Sequence, residues 1–373
     1  MEPALANDSG RYRGGPGNAG GGLILLFGEL QIWHIYLIAL VGATCGAFQE
    51  PAYTASITML VPKKELVRAS GMVQMGQALQ SVVTPLMAGF LFIAIGLQEI
   101  ILIDFITFFF AVAALLIVHI PQPEKQTEAG EAKAGSMRNV LNDSAFAWKY
   151  LRARSGLLGL VWYFAMVNFL LNFAAVLSIP MVLANNSAEV MGIVQTVAGV
   201  GMLLGGIFIS SWGGPKKSRR IPLVISLIGL GMLGLIVAGI QPHPIYVCIG
   251  MFILLFVVPI ASSLSQSVWQ TKVAPDIQGR IFGIRAMVSR SMMPLAFLTA
   301  GPIADQLFEP LMRNGGALAN TFVGTLLQTG PGRGIGLIFV LSGLVGILVT
   351  ALVYANKHIR LLEDELPDTV QEV

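Results

Sequence analysis

The sequence is short of charge, cysteine and histidine, and each shortage excludes a class of protein. Only 12% of its 373 residues are Asp, Glu, Lys or Arg, against about 25% in a soluble domain, so an ordinary water-soluble globule is excluded. Two cysteines occur, Cys45 and Cys248, each inside an apolar run, so neither a disulfide framework nor a cysteine metal site is indicated. The four histidines, His34, His119, His243 and His358, are scattered without ligand spacing. No Ser-His-Asp set or phosphate loop accompanies them, so no enzyme, no metal and no cofactor is expected. The formal net charge of +3 says little about nucleic acid, and no such partner is expected. What the chain has instead is 55% hydrophobic residues and a mean hydropathy of +0.74. Apolar runs of about 20 residues recur along it, the length a helix needs to cross a bilayer. The solvent of this chain is lipid.

Residues 1–22 are polar and Gly-rich, lack the order of a signal peptide, and are expected to be disordered. The run 23–27 is too short to span; with Glu29, Gln31, Trp33, His34 and Tyr36 behind it, it reads as the tail of a helix at a membrane interface. Crossings are predicted at about 35–60, interrupted by Gln49-Glu50-Pro51, then at about 73–95 and 100–120. A polar linker, 121–156, carries Met137, Val140, Leu141, Trp148 and Leu151 near helical spacing, which predicts an amphipathic surface helix. Six more crossings follow at about 157–183, 190–212, 221–240, 245–273, 282–307 and 336–354, with a tail over 359–373. If these alternate, Lys63, Lys64, Arg68, the basic residues of the linker, Lys216, Lys217, Arg219, Arg220, Lys272, Arg280 and Arg285 fall on one side. Loops 96–99, 184–189 and 241–244 on the other side hold no Lys or Arg; only Arg313 and Arg333 sit there. Basic loops stay inside, so both termini are expected in the cytoplasm.

Residues 275–280, a short basic turn, precede an apolar run holding Arg285, Arg290 and Asp305. Residues 61–89 repeat that layout. Pro62 precedes the turn, Arg68 and Gly71 match Arg280 and Gly283, and Ala88-Gly89 matches Ala300-Gly301, with three residues from Arg to Gly and eighteen more to the second Gly. Two copies of one pattern predict two similar halves, as in many transporters; coincidence in a Gly-rich chain is the competing explanation. The repeat places the start of the first half about 55 residues before Met1, so the expectation is that about two helices and the beginning of a third are missing.

Ionisable groups at membrane depth cost roughly 2.5 to 3.5 kcal/mol, so each needs a reason. Glu50, followed by the helix-kinking Pro51, suits reversible protonation, or else a structural pair. Asp104 and Asp305, nearer the outer ends, are further proton-coupling candidates that also suit interface or capping roles. Arg285 can snorkel to the surface; Arg290, about five residues deeper, suits a structural role near the inner mouth, or else neutralising a substrate anion or pairing with an acid such as Glu50. Gln74, Gln77, Ser81 and Thr84 share a helix face, as do Asn168 and Asn172, and Gln266 and Gln270. Gln74, Gln77, Asn168, Asn172 and Gln266 are the pathway candidates beside Arg290, with Trp162, Phe164, Phe169 and Phe173 as an aromatic wall; interhelical hydrogen bonds and ordinary packing are the alternatives.

Residues 23–360 resemble the major facilitator superfamily, in its branch of bacterial drug and siderophore exporters similar to macrolide-efflux proteins. The marks are Phe48-Gln49-Glu50-Pro51-Ala52-Tyr53, Val61-Pro62 to Arg68-Ala69, Thr84-Pro85-Leu86-Met87-Ala88-Gly89, Asp104-Phe105-Ile106-Thr107-Phe108 and the loop ending Gly330-Pro331-Gly332-Arg333-Gly334-Ile335-Gly336. The resemblance implies an all-α membrane protein of two helical bundles, the first (23–120) incomplete and the second (157–358) with six helices. It implies a secondary transporter in the inner membrane that exports an amphipathic small molecule by proton antiport, with the lipid bilayer, a small-molecule substrate and the proton gradient as its partners. A non-transporting, truncated or helix-binding membrane protein stays open as the alternative. Arg68, Gly71, Pro85, Gly89, Arg280 and Gly283 are the gating and loop candidates it implies; Thr84 stands where the antiporters' Gly-Pro motif has Gly. The family's signature loop between its second and third helices has no counterpart; 213–220 is its second-half relative and keeps the basic cluster without the acid.

Overall fold

The computed structural model describes residues 53–54, 57–95, 99–100, 103, 106–107, 110, 137–215 and 219–369. Among these the regular structure is helical throughout. The chain divides into two compact units, Met1–Ala52 with Val83–Gln122, and Tyr53–Val82 with Pro123–Val373. The second holds nearly all described residues.

A 3-10 turn, Lys63–Glu65, leads into α1, Leu66–Ala94. The amphipathic α2, Met137–Arg152, is followed by α3, Ser155–Leu183, α4, Ala188–Trp212, α5, Arg220–Ile240, and α6, Pro244–Lys272. Next comes α7, Pro275–Ile303, which continues through a π turn, Ala304–Phe308, into the short α8, Glu309–Met312. A one-turn α9, Phe322–Leu327, precedes α10, Arg333–Ala355, and the tail folds as α11, Lys357–Arg360, and α12, Leu362–Glu365. Six of these segments, α3 to α6, Pro275–Met312 and α10, are long and apolar enough to cross a membrane.

The crossings expected in the second half match α3 to α7 and α10 to within a few residues, except at the start of α7. Residues 275–280, read as a turn, form its first helical residues. Ala274 is extended (φ −62°, ψ 138°) and Pro275 takes the first helical position, where its missing N–H is not needed.

Hydrophobicity cannot drive one apolar helix onto another inside lipid, so close packing has to, and small residues allow it. A Cβ on Gly234 would stand 2.6 Å from the Gly250 carbonyl oxygen, and one on Gly205 would collide with that of Phe256. Helix α6 thereby lies against both α4 and α5, while α10 packs on α5 and α3, and α7 on α3. Two buried clusters fill the bundle. One, around Leu157, Ile225, Leu264 and Trp269, lies toward the ends that carry the basic residues; the other, around Phe173, Leu235, Leu254 and Phe339, lies toward the opposite ends.

At those opposite ends, Arg333 explains its own exception to the charge rule. It is buried, opens α10, and donates to the carbonyls of Gly239 (2.8 Å) and Ile240 (2.9 Å) at the end of α5 and of Leu327 (2.6 Å). The Glu309 carboxylate in turn accepts from the N–H groups of Gly332 (3.3 Å) and Ile335 (3.1 Å) at the start of α10. Helix ends leave such groups unpaired, and this pair of side chains satisfies both.

Candidate functional site

At the basic end, the segment from Tyr53 to Val82 packs against the ends of α4 and α6. A Cβ on Gly71 would stand 2.8 Å from Ser210 Oγ and 2.9 Å from its backbone N, and one on Gly206 would stand 2.9 Å from Met75 Cα. Helix α4 stops at Gly213, a left-handed cap (φ 74°), and Arg68 Nε lies 2.9 Å from where a Cβ would sit there. Gln270 Nε2 donates to the Thr54 carbonyl (3.1 Å), and buried Gln278 donates to the carbonyls of Gln270 (3.0 Å) and Val273 (2.9 Å), tying the α6–α7 turn together.

Deeper in the bundle, three helices bring a second set together. Arg285 on α7 donates to Gln266 Oε1 on α6 at 2.7 Å. Its guanidinium lies 5.2 Å from the ring centre of Trp269 on α6 and 5.9 Å from that of Phe164 on α3, within range for cation–π attraction. Gln266 Nε2 and Trp269 Nε1 are buried donors with no hydrogen-bond partner among the described residues. A corner made of one cation, unfilled donors and aromatic faces suits a solute with an apolar body and oxygen acceptors.

Arg285, which has the reach to snorkel, is instead held among the helices by Gln266 and two rings. Sequence reasoning missed this because the partners lie on other helices, and no local signal marks them. Arg290 is exposed on α7. Asn168 and Asn172 spend their amides on their own helix, donating to the carbonyls of Phe164 (2.8 Å) and Asn168 (2.7 Å). Gln74 is half-buried and Gln77 exposed on α1. Arg68 pairs with Glu65 (3.1 Å), whereas Arg280 pairs with Asp143 (3.2 Å) and covers the Phe146 ring, fastening α2 to α7. Gly71 is tightly packed, but the space beside Gly283 is open to 4 Å among the described residues. Asp305 is exposed in the π turn, beside a cavity of about 580 Å³ that Glu309, Arg313 and Asn314 also line. Pro85 and Gly89 belong to α1, and their surroundings, like Glu50 and Asp104 altogether, lie outside the described residues. Among the described residues no three His, Cys, Asp or Glu side chains cluster as metal ligands do.

A model of the Major Facilitator Superfamily matches residues 17–297. The chain belongs to the major facilitator superfamily. Its relatives in that superfamily include Macrolide efflux protein A of Streptococcus pyogenes, 25% identical over 295 residues, 76% of this chain and 69% of the relative. The protein of the same name from Enterococcus faecalis is 26% identical over 283 residues, 73% of this chain and 83% of the relative. The Multidrug efflux pump Tap of Mycobacterium tuberculosis is 27% identical over a shorter stretch, 90 residues, 24% of this chain and 21% of the pump. This superfamily member is thus a multi-pass membrane transporter related to efflux proteins, with lipid around it and a small molecule as its substrate.

Proposed function

We propose that this chain exports an amphipathic small molecule, macrolide-like or siderophore-like, across the plasma (inner) membrane in exchange for protons. The observation that carries the substrate class is the corner on α3, α6 and α7, where Phe164, Trp269, Gln266 and Arg285 offer rings, donors and one cation to a single solute. The efflux names of the relatives support the direction of transport. Glu50 is assigned the proton, because an acid at membrane depth needs a functional reason and reversible protonation supplies one. Asp104 and Asp305 are the secondary candidates. Gln74, Gln77, Asn168, Asn172 and Arg290 are assigned to the wall of the pathway. Arg68, Gly71, Pro85, Gly89, Arg280 and Gly283 are assigned to the hinges and ends of the moving helices, in a division of residues 23–120 and 157–358 into two bundles. The basic residues at the end where Gly71 packs on Ser210 support a cytoplasmic location for that end and for both termini.

Accumulation of fluorescent and radiolabelled amphipathic solutes in cells with and without the chain tests this. Lower accumulation that a protonophore abolishes is expected. Equal accumulation for every solute, macrolides included, would overturn the proposal.

A further inference from the structure

The tail does more than end the chain. After α10, Asn356 Oδ1 accepts from His358 N (3.0 Å) and starts α11. Ile359 and Leu362 are buried against α3, where two glycines make room. A Cβ on Gly156 would stand 2.5 Å from the His358 carbonyl oxygen, and one on Gly159 would stand 2.5 Å from Ile359 Cδ1. The Glu363 carboxylate accepts from Ile221 N (3.0 Å) at the start of α5. Buried Lys272, at the end of α6, donates through Nζ to the carbonyls of Glu363 and Leu366. Thr369 reaches the Thr271 carbonyl through both its N–H (2.9 Å) and its Oγ1 (3.1 Å).

Asp368 closes the set. One of its oxygens lies 2.9 Å from Lys272 Nζ and the other 2.7 Å from Lys63 Nζ, in the 3-10 turn that opens α1. A single carboxylate therefore joins the entry of α1 to the exit of α6, at the same end where Gly71 packs on Ser210 and Gly206 on Met75. Desolvation pushes the Asp368 carboxyl up, and the hydrogen bonds and charges of Lys272 and Lys63 outweigh it, so the carboxyl titrates below its ordinary range and is ionised at neutral pH.

We propose that segment 356–369 is a strap across the basic end, and that the Asp368–Lys63 contact is its releasable link: the strap stays docked on α3, α5 and α6, and the link breaks when α1 swings away and that end opens. The exposure of the partners fits release. Lys272 is buried and Asp368 is exposed, with Lys63 between them, so water reaches the Lys63 side of the carboxylate more readily than the Lys272 side. The proposal goes beyond the export reading, because its readout needs no substrate.

Spin labels on Lys64→Cys and Ser211→Cys, in the full chain with Cys45 and Cys248 replaced by Ser, report the separation across this end in nanodiscs. In the parent, a short-distance population dominates. Asp368→Asn and Lys63→Gln should each raise the ratio of long to short distances about two- to five-fold, the size that a half-exposed ion pair supplies. The double variant should change the ratio by less than the two single effects combined, because both remove this contact. Monodisperse elution of each variant verifies folding. A distribution that Lys63→Gln leaves unchanged, or effects that simply add in the double variant, would overturn the link, even if Asp368→Asn alone loosens the tail.

Discussion

Pro62 and Ala274 hold the same extended backbone, φ −57° and ψ 144° in one and φ −62° and ψ 138° in the other, each directly ahead of a helical turn. Arg68 and Arg280 follow them at the same interval of six residues. The backbone ahead of the two turns is thus alike, while the side chains have parted: one arginine pairs with Glu65 in its own turn, the other with Asp143 of the amphipathic helix.

The repeated glycines should part in the same way. Gly71→Ala pushes a methyl into Ser210, backbone included, and should cost about 1 to 3 kcal/mol, as overpacking does. Gly283→Ala meets open space inside a helix and should be neutral or stabilising by up to about 1 kcal/mol. Thermal unfolding in detergent reads both, and a lower midpoint for Gly283→Ala than for Gly71→Ala would contradict the packing described.

Arg285→Lys keeps the charge but loses the planar face shared with Trp269 and Phe164 and the 2.7 Å bond to Gln266. Initial export rates should fall about tenfold, on the magnitude of a desolvated cation–π contact. Arg290→Lys, on the exposed part of α7, should fall less. Equal loss in both variants would show that the corner is not special.

How much of this was legible follows from what each feature depends on. The spans of α3 to α6 and of α10 could be read because lipid demands an uninterrupted apolar length. The start of α7 could not, since Pro-Asp-Ile-Gln-Gly-Arg carries every mark of a loop and only the helix that follows reveals Pro275 as its first residue. The role of Arg285 depends on Gln266 and Phe164 from two other helices, and snorkelling is the default for a lone basic residue in an apolar run. The tail reads as a solvated, charged end; the notch at Gly156 and Gly159 that seats it is far away in the chain.

Burial raises the Glu363 carboxyl above its ordinary value, against the opposing pull of the Ile221 and Arg220 N–H groups and the charges of Arg220 and Lys272. A raised folded-state pKa means that Glu363 favours the fold below its unfolded value and that this contribution is lost as pH rises through the folded one. Glu363→Gln, which keeps an acceptor for Ile221, should therefore match or exceed the parent's unfolding midpoint at pH 8, with the difference shrinking toward pH 4. A variant clearly less stable at pH 8 than at pH 4, relative to the parent, would show that the charge is needed.

Glu50→Gln mimics the protonated carboxyl. Proton-driven export should disappear, while binding and solute exchange persist. Retained proton-driven accumulation would exclude Glu50 as the carrier.

The central claim is proton-coupled export, and reconstitution tests it most directly. With the full-length transporter in vesicles whose acidic lumen stands for the outer side, an amphipathic solute should accumulate saturably against its gradient, with protons leaving, until a protonophore collapses the pH difference. Accumulation that is absent, or that neither saturates nor responds to the protonophore, would contradict the account.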